Sequence, residues 1–137
     1  MPTLPTNTAF RNAIQAMSVT GVTTHLDWPP GSIQPGDLPV AFCMPPGASL
    51  GDYQVTCINE NRNRTMGFVI CLEAVALDNA EQNYDLIAPA MDNLESAIDT
   101  ALTSLANFYE YTLSSGTYGV GGTDYWAVIA EISIRSL

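Results

Sequence analysis

The chain has 137 residues, enough for one domain with a core of its own. Fourteen Asp and Glu stand against four Arg and no Lys, a net charge of −10, which excludes a nucleic-acid grip built on phosphate neutralisation. Hydrophobic residues make up 47% and charged residues only 13%. That charged share is about half of the usual ~25%, so the chain is expected to fold, with an uncharged surface that is either buried against partners or polar through its many Ser, Thr, Asn and Gln.

Three cysteines, Cys43, Cys57 and Cys71, form an odd set at even spacing. Neither a disulfide framework nor a zinc pattern with close pairs fits them, and Cys43 and Cys71 lie in apolar runs where a thiol acts as a small hydrophobe. The opening residues lack an apolar signal region, and no stretch approaches the ~18 apolar residues of a membrane span. A soluble protein made in the cytoplasm is expected, as a single domain over 1–137.

Residues 1–6, with Pro2 and Pro5, read as a short arm. Thr6 or Asn7 is placed to cap a helix over 8–18, in which Phe10, Ile14 and Met17 share a face. From Val19 to Trp28 a β-branched run predicts a strand, followed by a Pro- and Gly-rich loop at 29–37 without regular hydrogen bonding. A short apolar strand covers 38–44, with Pro39 near its start, and a second Pro/Gly loop follows. Residues 53–58 form another strand, 59–64 a polar turn region. The run 65–77 is apolar on both pleat faces apart from Glu73, the pattern of a central strand covered on both sides.

A 3.6-residue rhythm from Leu86 to Leu105 predicts a helix from the mid-80s to about 105, with Pro89 either in its first turn or at a kink. Asp92, Glu95 and Asp99 mark its opposite face, which reads most simply as solvated. Residues 107–115 read as a strand, 116–123 as a glycine-rich connection, and 124–136 as the clearest strand of the chain. In that last strand Trp126, Val128, Ala130, Ile132 and Ile134 alternate with Tyr125, Ala127, Ile129, Glu131, Ser133 and Arg135. The fold class is α+β: a mainly antiparallel sheet of four to five strands flanked by helices on one face, ending in a long C-terminal hairpin.

Little in the chain suggests catalysis. The segment GTYGVGG, 116–122, resembles a phosphate loop in composition, but no Lys follows and strands flank it, so its glycines serve a hairpin. His25 is the only histidine, and no nucleophile near it has a recognisable context. An enzyme built on His25 is the weaker alternative; no cofactor or metal is expected. Arg62 and Arg64, two apart at a strand entrance, read either as a charged turn or as an intersubunit ion pair. Trp28, Tyr125 and Trp126 read as core or interface anchors, since stacking platforms accompany basic grooves.

Two segments together resemble a known family. NYDLIAPAMDNLESAID is a helix opened by an aromatic–Asp pair, and YWAVIAEISIR is a terminal strand with an aromatic pair and a late Arg. Before them stand GVTTHLDWPP and DLPVAF. This order, over roughly 10–136, resembles the tail terminator proteins of long-tailed bacteriophages and the wider group of head–tail joining and tail completion proteins. The resemblance implies a non-enzymatic virion subunit, assembled in the host cytoplasm as a ring, a hexamer by analogy. Such a ring sits at the head-proximal end of the tail tube, stops tube growth and joins the tail to the neck. It implies contacts with the tail tube protein and with a neck or head completion protein, with DNA passing nearby unbound and no membrane. A head–tail connector subunit is the neighbouring alternative, a non-virion assembly factor or binding domain the more distant one. Candidate contact residues are Pro29, Pro30, Ile33, Arg62, Arg64, Tyr118, Val120 and Asp124. The stripe Asp92, Glu95 and Asp99 is a candidate for an acidic face toward the DNA channel or a basic partner.

Overall fold

A computed structural model describes residues 4–44, 54–58, 61–75, 80–106 and 108–135, of which 54–58, 61–62 and 80–84 are described by backbone alone. The expected loop at 45–52 therefore lies outside the described residues. In chain order the elements are α1 (Asn7–Gln15), β1 (Thr24–Leu26), β2 (Val40–Met44), β3 (Gln54–Ile58), β4 (Asn61–Ala74), α2 (Ala80–Thr103), β5 (Tyr109–Val120) and β6 (Thr123–Arg135), with a 3₁₀ turn at Pro35–Asp37 inside the 29–37 loop. The class is α+β, as the order of patterns predicts.

One sheet carries the fold, in the order β1-β2-β4-β6-β5, and β3 also pairs with β4. It is mixed rather than purely antiparallel, because β1 pairs with β2 in parallel. β2 and β3 share one edge of β4 end to end: Met44 pairs with Gly67 and Gln54 with Thr65. They run in the same sense and act as two halves of one interrupted strand.

β4 is the strand that both layers need. Met66, Phe68, Ile70 and Leu72 join the larger core, together with Phe10 and Ile14 of α1, Leu94, Ile98 and Leu102 of α2, and Val128, Ala130, Ile132 and Ile134 of β6. Val69 and Cys71 point the other way, into a smaller cluster with Val40, Phe42, Tyr125 and Ala127. Ile33 and Leu38 of the 29–38 segment pack onto that second cluster. Both helices therefore lie on one face, and a loop covers part of the other. The two-sided apolar reading of 65–77 matches this burial over 65–72, and its last two residues lie outside the described residues; a bulge between Cys71 and Glu73 turns Glu73 out to solvent.

The local details follow from side-chain chemistry. Thr6 is the N-cap of α1, its hydroxyl accepting from Ala9 N at 3.1 Å. α2 begins earlier than its apolar rhythm and runs through Pro89. The β-branched run from Val19 yields only three strand residues, because Met17 and Val19 are buried in the helix-side core before the chain turns at Gly21. The polar turn expected at 59–64 is a correction: from Asn61 these residues are strand, held by β3 on one side and from Asn63 by β6 on the other. Ladder pairing on both edges overrides their low strand propensity.

The hairpin is longer and tighter than expected. β5 continues through Gly116 and Gly119 to Val120, and only Gly121 and Gly122 form the loop, both at positive φ (58° and 82°). That is the two-residue geometry whose twist suits a hairpin. A Cβ on Gly121 would stand 2.7 Å from Gly31 O, whereas one on Gly122 meets nothing within 4 Å. The hairpin tip is thus seated against the 29–37 loop. Gly121→Ala is expected to destabilise the protein by about 1–2 kcal/mol more than Gly122→Ala, since both suffer φ strain and only the first also collides with backbone. Equal urea-unfolding midpoints for the two variants would contradict the seating.

Candidate interaction surfaces

Three surfaces carry the residues that the sequence singles out. The first is the sealed end of the helix-free face. Val120 and Tyr125 are buried there, and the Tyr118 ring lies 5.5 Å from that of Phe42. The Tyr125 hydroxyl is 3.5 Å from the Ile33 carbonyl. Pro29 is exposed and Pro30 half-buried. Asp124 is also exposed, and its carbonyl accepts from Val75 N at 2.9 Å. The structure thus brings the 29–37 loop and the hairpin together within one chain.

The second surface is α2. Its positions 85, 92 and 99 recur every seven residues and so share a line, with Glu95 beside it. Asp85, Asp92 and Glu95 are exposed. Asp99 is half-buried and tied to β5: Tyr109 donates to its Oδ1 at 3.0 Å, and the Tyr111 hydroxyl lies 3.3 and 3.4 Å from its two oxygens. The acidic stripe therefore runs along the β5 side of the helix. Burial, with the Asp99 and Glu95 charges and the Asp99 hydrogen bond, pushes Tyr111 up to about 12. The other flank of α2 carries Ser96, Ala97 and Thr100, which with Ala13, Ala16 and Met17 line an open groove of about 550 Å³.

The third surface holds the cations. Arg64 Nε donates to the Pro5 carbonyl at 2.8 Å and pins the N-terminal arm to β4. Arg62 stands in β4 opposite Cys57, described by backbone only. Arg11, half-buried over β2, donates to Asn12 Oδ1 at 3.2 Å while its Nε is buried without a hydrogen-bond partner. Among the described residues the sole ion pair joins Arg135 to Glu110 at 3.4 Å, both ends exposed, a contact of small worth. Among the described residues Arg11 and Arg64 thus face no carboxylate within ion-pair distance.

His25 sits in β1 and accepts from Val19 N through Nε2 at 3.1 Å, so it fastens the turn before its strand. The two described thiols lie on opposite faces, Cys43 among the helix-side residues and Cys71 in the second cluster; burial raises both to about 12. Among the described residues no group of His, Cys, Asp and Glu is placed to hold a metal ion, and no helix is long and apolar enough to cross a membrane. Sequence reasoning missed the Asp99–tyrosine link because its partners lie ten and twelve residues downstream, across the turn into β5. The clue available was the Tyr109/Tyr111 alternation, which puts both phenols on one pleat face.

Searches against protein-family models and against curated proteins gave no match.

Three predictions follow from these side chains. Asp99→Ala strands two phenols that now donate to a carboxylate and is expected to cost about 1–2 kcal/mol in urea unfolding. In Asp99→Asn, Tyr111 should ionise at lower pH, read by ultraviolet titration. The sign is set by the raised folded value: stability from neutral Tyr111 is complete below the ordinary tyrosine value of 10 and is lost as pH climbs toward 12. In a Cys57→Ser background, Cys43 and Cys71 should resist thiol alkylation at pH 8, where a group at about 12 is thiolate in about one molecule in ten thousand. Rapid labelling of the folded protein would contradict their burial.

Proposed function

We propose that this protein is a structural subunit of a long-tailed phage particle: a tail terminator that forms a ring on the head-proximal end of the tail tube. The sequence resemblance over the α2 and β6 segments supports the role. The observation that carries the subunit reading is β5, a 12-residue strand that among the described residues is paired on one side only. A free edge of that length is a template for another strand and is costly to leave bare in a monomer. The low charged share of 13% fits a molecule that buries surface against neighbours. Tail tube protein on one side and a neck protein on the other are the partners this role requires. Acidic side chains would let DNA pass without adhering.

The test is genetic and visual. Removing the protein from an infecting phage should yield overlong tail tubes without heads, measured by electron microscopy. Tubes of normal length that fail to join heads would assign the connector role instead. Particles of normal length and infectivity would overturn the structural role altogether.

A further inference from the structure

β5 ends the sheet on one side, and among the described residues its outer edge is a regular row of unpaired donors and acceptors. Its two-residue loop makes Val120 and Thr123 the last hydrogen-bonded pair, so even-numbered β5 residues face β6 and odd-numbered ones point outward. The 3.1 Å bond from Arg135 N to Phe108 O keeps that parity. Tyr109, Tyr111, Leu113, Ser115, Thr117 and Gly119 therefore direct their N–H and C=O groups away from β6. The pairing with β6 has no register shift, and the strand holds no Lys and no Pro. Of the devices that blunt an edge only Glu110 is present, and Arg135 partly neutralises it.

The two faces beside this edge differ in charge. On the helix side Tyr109, Tyr111 and Leu113 pack against the larger core, under the β5 flank of α2. The Tyr109 and Tyr111 hydroxyls reach Asp99, and the Glu95 charge acts on the Tyr111 phenol. Glu95 and Asp92 stand one and two turns before Asp99 on the same flank, both exposed. Among the described residues neither has an ion-pair partner. On the helix-free face the outer row is Glu110, Thr112, Ser114 and Gly116, whose one charge meets Arg135. The edge thus offers main-chain pairing, and its helix side offers carboxylates that await cations.

A second copy of this chain suits that edge poorly. Two-fold pairing of β5 with β5 would put both helix layers on the same side of one joined sheet, with the two acidic flanks face to face. Like charges repel there within a Debye length of about 8 Å. The opposite end of the sheet, β1, offers a mate of only three residues. The chain has four Arg and no Lys, and no Arg lies in β1 or β5. A strand with cations to match Asp92 and Glu95 therefore comes from another polypeptide.

We infer that β5 is a docking edge for an extended segment of a different protein, which adds as a further strand and carries Lys or Arg at the alternate positions facing α2. Main-chain bonds to the odd-numbered β5 residues hold the segment, and Asp92 and Glu95 select its charge. Strand alternation is what places all of its cations on one face. The inference rests on the subunit reading proposed above and specifies one joint between that subunit and a partner protein.

The probe is a short synthetic peptide in which lysine alternates with threonine, set against a peptide of the same composition with its lysines clustered. Amide hydrogen exchange of the wild type, resolved by residue with NMR, is the decisive readout. The alternating peptide should slow exchange at Tyr111, Leu113, Ser115 and Thr117 about tenfold, while even-numbered β5 amides, already bonded to β6, change little. The clustered peptide should give no such protection. Ser115→Pro removes one outward donor without breaking the ladder to β6; it should keep its circular dichroism and bind the alternating peptide about tenfold more weakly. Asp92→Asn with Glu95→Gln changes exposed side chains only and should weaken binding about fivefold. Peptide binding without protection of the odd-numbered amides, or undiminished binding to folded Ser115→Pro, overturns edge addition. Unchanged affinity of the doubly neutralised protein overturns the charge selection. Odd-numbered protection that grows with protein concentration alone makes the occupant a second copy and overturns the assignment to a different protein. Absence of binding at millimolar peptide overturns the docking edge and leaves the ring reading to the tail-length test.

Discussion

β4 has to be buried on two faces, and the rest of the fold is arranged to do it. Phe68 and Ile70 are sealed by the two helices, but Val69 and Cys71 face away from them and are just as deeply buried. Fully burying side chains of this size is worth roughly 1.5–3 kcal/mol each, so neither face can be left to water. With both helices committed to one side, the 29–38 segment covers the other. Ile33 and Leu38 supply its apolar contact, and the hairpin tip at Gly121 locks against Gly31. The proline-rich stretch is therefore a cover with a defined seat. Its glycines matter where backbones meet, as at Gly121, where a methyl group has no room.

The cover is incomplete. It seals the end of the sheet near Tyr118 and Tyr125, while the other end of that face carries Thr65, Thr112, Glu131 and Ser133, with a hydroxyl contact of 3.1 Å between Thr65 and Ser133. Ile129 sits between the two regions, half-buried. The helix layer is asymmetric in another way. One flank of α2 is drawn to β5 through Asp99, and the other opens a groove toward α1. A stripe of acids that reads as solvated from spacing alone is thus divided: Asp92 and Glu95 remain exposed, and Asp99 ties helix to strand.

How much was legible in the sequence depends on whether the signal was local. The alternation in β6 assigns Val128, Ala130, Ile132 and Ile134 to one face and Tyr125 and Ala127 to the other, as observed. The α2 rhythm and the two-sided run of β4 are equally local. What escaped depends on distant partners. Asn61 to Arg64 look like a turn, yet they are strand because β3 and β6 supply hydrogen bonds. Arg64 reads as part of a charged turn or of an intersubunit ion pair, yet it holds a carbonyl 59 residues away. Gly116 and Gly119 disguise the second half of β5, since glycine weakens a strand unless a neighbour such as β6 fixes the register. The side chains of Arg62 and Cys57, both singled out from the sequence, lie outside the described residues.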